Sequence, residues 1–143
     1  MKSFFPDVNV WIALAYEGHQ HHKAAANWFG RLEETVYFCR LTQLGFLRLI
    51  THPAVMREEV RTQAQAWSDY DAFLGDERVS FHLEPDPQLF ESILRRLTSA
   101  GRSSSGQWPD AYLAAFSRVA GLELVTFDRA LRQMNPGATV LLR

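Results

Sequence analysis

The chain has 143 residues and a formal net charge of -1. That length suits one domain with a real core, and the near-neutral balance excludes bulk electrostatic capture of nucleic acid, so any RNA or DNA contact needs a local basic patch. The single cysteine, Cys39, excludes an intrachain disulfide and a multi-cysteine metal site.

The composition, 47% hydrophobic and 22% charged, is that of an ordinary soluble domain. No apolar run approaches the roughly 20 residues needed to cross a bilayer, and no export signal is expected. The expected location is the cytoplasm, with no membrane contact.

Phe4-Phe5 predicts a short first strand, ended or left paired on one side by Pro6, which has no N–H to donate. Val8 to Tyr16 has helical spacing, closed near Gly18. A second helix is expected over His21 to Leu32 and a second strand over Thr35 to Cys39. Cys39 is expected as a buried packing residue. Leu41 to Ile50 reads as a helix, stopped at Thr51-His52-Pro53 because the residue before proline avoids the helical region.

Arg57 to Leu74 reads as one long helix whose Trp67, Tyr70, Phe73 and Leu74 form a core or dimer stripe. Val79 to Leu83 alternates like a strand, and Pro87 starts a helix running to Leu97. Gly101 to Gly106 is a serine-rich loop, too short to link domains. Trp108 to Ala120 is a helix with Pro109 in its first turn and Gly121 after its end. Leu122 to Thr126 is a strand, Ala130 to Met134 a short helix, and Thr139 to Leu142 the last strand. Alternating strands and helices predict one α/β domain with a mostly parallel sheet of 4–5 strands.

Ligands of open parallel sheets bind outside the carboxyl ends of the strands. Asp7 follows the first strand and Asp128 follows the fourth, so both should emerge on one edge. Asp110 joins them if its helix points its N-terminus the same way. Three clustered carboxylates are stable only when protonated or when cations sit among them. Mg2+ and Mn2+ prefer such oxygen ligands, and a carboxylate-held ion suits phosphodiester hydrolysis. The same acids also read as helix caps or dipole partners. The two readings overlap, because a capping Asp keeps a second oxygen free.

Five segments in order resemble the PIN domains, in particular the VapC-type toxin nucleases of toxin–antitoxin pairs. They are Asp7-Val8-Asn9-Val10-Trp11-Ile12-Ala13-Leu14, His21-His22-Lys23-Ala24-Ala25, Thr42-Gln43-Leu44-Gly45-Phe46-Leu47-Arg48-Leu49-Ile50-Thr51, Trp108-Pro109-Asp110-Ala111-Tyr112-Leu113-Ala114-Ala115 and Val125-Thr126-Phe127-Asp128-Arg129. The resemblance spans nearly the whole chain. It implies a three-layer PIN-like fold and an endoribonuclease using Mg2+ or Mn2+. It also implies an antitoxin that covers the site, and a homodimer. By motif position it makes Asp7, Asp110 and Asp128 the acidic metal-site residues, with Asn9 and Thr126 as polar neighbours that orient them.

One position departs from the family pattern. Many PIN domains carry a Glu where Gln43 stands, and glutamine removes one negative charge while keeping a carbonyl oxygen. That favours one metal over two, and it leaves a second reading open, a binding module on the same scaffold. A haloacid-dehalogenase-like phosphatase would need an Asp where Asn9 stands.

Among the cations, Arg129 beside Asp128 and Arg48 on the Gln43 helix are the RNA-contact candidates, since a guanidinium binds phosphate in a bidentate manner. A salt bridge to the acids is the competing role. Arg102 in the serine loop is a weaker candidate. His19, His21 and His22 do not read as a zinc site, because no cysteine is near and adjacent histidines on a helix diverge.

Overall fold

A computed structural model describes residues 2–143. Five strands are laid down in chain order: β1 (Phe4–Pro6), β2 (Val36–Phe38), β3 (Val79–Phe81), β4 (Glu123–Thr126) and β5 (Thr139–Leu141). They form one sheet in the spatial order β3-β2-β1-β4-β5, and every pairing is parallel. The helices are α1 (Val8–Ala15), α2 (His22–Gly30), α3 (Arg40–Ile50), α4 (Pro53–Met56), α5 (Gln63–Leu74), α6 (Pro87–Leu97), α7 (Trp108–Ala120) and α8 (Arg129–Met134).

The period of two along each strand divides the side chains between two cores. Phe4, Val36, Phe38, Val79 and Val125 face one layer, with α1, α3 and α5. Phe5, Tyr37 and Leu124 face the other, with α6, α7 and α8. Both cores are aromatic. Trp11 stacks on Phe38 at 3.8 Å in the first, and Phe5 stacks on Phe116 at 4.7 Å in the second.

Pro6 has a specific effect on the central strand. On the β2 side, the Phe4 N–H donates to the Thr35 carbonyl at 2.9 Å. The next donor facing that side would belong to Pro6, which has none, and only Phe4 is in register with β2. On the β4 side the ladder continues, with Pro6 opposite Val125 and the Asp7 N–H donating to the Val125 carbonyl at 3.0 Å. Asp7 is therefore anchored to β4.

The expected helix over Arg57 to Leu74 is corrected. Helix α3 does stop at Ile50, ahead of Thr51-His52-Pro53, but Pro53 then starts the short α4, where His52 Nδ1 accepts the Ala54 N–H at 3.1 Å. A 3-10 turn over Arg57–Glu59 follows, and Arg57 has a φ of 54°. Helix α5 starts afresh at Gln63 because Thr62 and Gln65 form a reciprocal capping box, with bonds of 3.0 and 3.1 Å. That Thr-x-x-Gln signal was present in the sequence. Trp67 is 48% exposed and lies outside the core, while Tyr70 is buried.

Candidate active site

Chain order reverses in space at β1. Strands β2 and β3 extend to one side of it, and β4 and β5 to the other. Such a switch point opens a crevice at the carboxyl ends of the two strands that flank it. Asp7 follows β1 and Asp128 follows β4 by two residues. Helix α7 must descend to the amino edge before the turn at Gly121, whose φ of 70° suits glycine, leads into β4. Its first turn, with Asp110, therefore starts at the carboxyl edge. The three acids share that edge.

Asp7 is buried, 8% exposed. Its Oδ1 accepts the Val10 N–H at 3.2 Å, which caps α1. Its Oδ2 accepts from the Thr126 hydroxyl. The Thr126 oxygen in turn accepts the Asp128 N–H at 2.9 Å. One hydroxyl thus fixes the positions of two acids. Asp128 Oδ1 caps α8 by accepting the Ala130 N–H at 2.8 Å, with the rest of the side chain exposed. The capping role and a ligand role coexist, since each capping carboxylate retains free lone pairs.

The electrostatics are unresolved within the protein. Burial, helped by the charge of Asp110, pushes the Asp7 carboxyl up to about 6, against the bonds from Thr126 and Val10. Burial and the charge of Asp128 raise Asp110 as well. Among the described residues, no cationic side chain lowers either group. Among the described residues, no three His, Cys, Asp or Glu side chains close around one point as a metal cage. The arrangement is an open chain of acids, Asp7 to Asp110 to Asp128. It fits an octahedral divalent ion that takes one or two carboxylates and keeps several waters.

Gln43 lies in the first turn of α3, buried. Its Oε1 accepts from Arg40 Nη1 at 2.6 Å, and its amide bears on the Tyr70 hydroxyl. The Arg40 guanidinium also covers the Phe81 ring at 4.7 Å. Arg40 is thus a cation held at the carboxyl edge that sequence reading passed over. Its i, i+3 spacing to Gln43 was the available signal.

Arg129 is exposed at the start of α8, beside Asp128. Arg48 is not brought to the acids. It lies eight residues into α3, about 12 Å from the helix start, in a groove with Leu44, Leu47 and Trp67. Asn9 is exposed on α1 and meets Asp7 through its backbone N–H. His22 packs its ring against α1, with Nδ1 2.7 Å from the Ala13 carbonyl oxygen. His19 and His21 border the acids, beside Phe127. A larger cavity, about 760 Å³, lies elsewhere, between the end of α1 and α5. Charged residues such as Glu59, Arg61 and Asp69 line it.

Known proteins resemble this chain in sequence and in fold. Ribonuclease VapC41 of Mycobacterium tuberculosis is 38% identical over 132 residues, covering 89% of this chain and 90% of the relative. The crystal structure of M. tuberculosis VapC20, a Sarcin-Ricin loop cleaving toxin, superposes with a TM-score of 0.70 at 18% identity, covering 98% of this chain and 99% of that one. VapBC2 of Rickettsia felis, bound to a DNA fragment from its promoter, gives a TM-score of 0.68 at 10% identity, with 99% of each chain covered. The profile of the PIN domain family matches residues 4–135. With its switch-point acids and a parallel sheet layered on both faces, the chain belongs to the PIN domain family.

Proposed function

We infer that this chain is a ribonuclease of the VapC kind, the toxin of a toxin–antitoxin pair. In this reading it cuts RNA phosphodiester bonds with Mg2+ or Mn2+ held by Asp7, Asp110 and Asp128. The observation that carries the reading is the Asp7 carboxylate. It is buried at the switch point, opposed by a second acid, and given no cation by its own fold. Natural folds seldom leave a buried charge in that state unless an ion or a reaction uses it. The identity to Ribonuclease VapC41 supports the same conclusion.

A divalent ion held there by the acids would supply Lewis-acid polarisation of the phosphoryl oxygen and a water of lowered pKa. Thr126 holds Asp7 and Asp128 in fixed register, so the ligands need little reorganisation. Asp110 meets the same edge from a helix N-terminus, where negative charge is favoured. Arg129, exposed beside Asp128, would take a phosphate of the substrate. Because Arg40 engages Gln43, the Gln43 oxygen is a poor ligand, and the site is read as holding one metal. An antitoxin partner and a homodimer belong to the same reading, as does a cytoplasmic location. The antitoxin is supported by the solved VapBC2 structure. The exposed Leu44, Val55 and Trp67 are apolar surface available to a protein partner.

The test is cleavage of a mixed tRNA and rRNA pool with Mn2+, with Mg2+ and with EDTA, beside an Asp110→Asn control. Metal-dependent cutting that the control lacks is the expected result. Cutting that survives both EDTA and the substitution overturns the reading. The Arg40–Gln43 bond, at the position where the family often holds Glu, supports the alternative of a non-catalytic RNA- or protein-binding module. Calorimetry separates the two, since the module would bind its partner yet take up no divalent ion.

A further inference from the structure

A second feature adjoins the acids and is not used by the hydrolytic reading. A cleft of about 320 Å³ opens directly beside Asp128, lined by Asn9, His19, Gln20, His21, Phe127 and Asp128. Its aromatic wall is preassembled. The His21 ring stacks on Phe127 with centroids 4.4 Å apart and planes 18° apart. His19 is locked beside it, because its Nδ1 accepts the His21 backbone N–H at 3.0 Å. That bond leaves Nε2 as the nitrogen free to face a ligand. Phe127 rests against the core, and both it and His21 stay only part-buried. The exposed amides of Asn9 and Gln20 each pair a donor with an acceptor.

We propose that this cleft is a nucleobase subsite, which stacks the unpaired base next to the scissile phosphate on the His21–Phe127 pair. The proposal rests on the ribonuclease reading. A flat aromatic wall binds any base through its π-face. Amide side chains can then pair with the adjacent donor and acceptor that an unpaired base presents on its edge. A single-stranded substrate is required, since a base inside a duplex is already stacked. The His21 side chain does not cap α2, so its replacement leaves that helix start intact.

The test uses the full chain carrying Asp110→Asn, to block cutting, with short single-stranded RNAs in Mg2+. Fluorescence anisotropy reads binding in this background with and without His21→Ala or His21→Tyr. Each RNA is also made with one abasic position at a time. His21→Ala is expected to weaken binding at least about five-fold, the lower end of what one stacked base contributes. His21→Tyr keeps binding within about two-fold. One abasic position is expected to weaken the His21-intact protein but not the His21→Ala protein. Equal binding by the His21-intact and His21→Ala proteins, while the chain without Asp110→Asn still cuts the same RNAs, overturns the subsite and leaves the nuclease standing. Failure of the chain both to bind and to cut any RNA overturns the two together.

Discussion

The two edges of the sheet carry aspartates in opposite circumstances. At the amino edge, Asp76 precedes β3 and is fully engaged. Arg78 donates to it through Nε and Nη2 at 3.0 and 2.8 Å, and through its backbone N–H at 2.9 Å. The same guanidinium reaches the Phe29 and Leu32 carbonyls at the end of α2, at 2.7 and 2.9 Å. Those bonds hold the Asp76 carboxyl down at about 2. At the carboxyl edge, Asp7 is pushed up to about 6. The same side chain is stabilised as an anion at one edge and penalised as an anion at the other. A structural carboxylate is supplied with its cation by the fold. Asp7, on the proposed reading, is left needing a cation from outside.

The largest expected effect comes from removing the penalised charge. Asp7→Asn should lower RNA cleavage more than about 100-fold, beyond the loss typical for a residue that only supports a ligand. It should also stabilise the metal-free protein. Asp7 has a folded pKa above its unfolded value, so its contribution is favourable below about pH 4 and is lost as pH rises through about 6. The full shift corresponds to about 3 kcal/mol at pH 8. Thermal melts in EDTA between pH 4 and 8 should show that decline in the unsubstituted chain and not in Asp7→Asn. Parallel pH dependence in both would break the comparison at its base.

Thr126→Val keeps the shape of the side chain but removes the hydroxyl that joins Asp7 to Asp128. Cleavage should fall about 10- to 100-fold, with a stability loss of about 1–3 kcal/mol for the buried groups left unbonded. Titration with Mn2+ followed by calorimetry should show weakened uptake rather than its abolition.

At the other edge, Arg78→Ala should cost about 2 kcal/mol through the lost carbonyl and carboxylate bonds, read by urea denaturation, with cleavage unchanged. Asp76 has the opposite pH sign, since its contribution is present above about pH 4 and is lost as pH falls through about 2. The smallest effect belongs to Gly45. A Cβ there would lie 2.6 Å from Val8 Cγ2, where α3 crosses α1. Gly45→Ala gains helix propensity of about 1 kcal/mol but must displace Val8. A net loss below about 1 kcal/mol is expected in the same denaturation assay.

Much of this arrangement was legible in the chain itself. Asp7 and Asp128 each follow a β-type run, and strand–helix alternation implies a parallel sheet, so their shared edge followed without coordinates. Misreading came where a local signal was overlooked. The Thr62–Gln65 capping box marked the true start of α5, but the apolar spacing from Arg57 onward hid it. Arg48 was legible as a cation and not as a distant one, because its helix runs away from the edge on which Gln43 sits.

The sequence by itself determined which residues are acids, which runs alternate, and where proline and glycine interrupt them, because these depend on near neighbours alone. Only the tertiary structure decided that Thr126 joins two carboxylates and that His21 lies flat on Phe127. The Thr126–Asp7 and His21–Phe127 contacts join residues far apart in the chain. Both depend on side-chain packing at one sheet edge, which strand order fixes and local propensity does not.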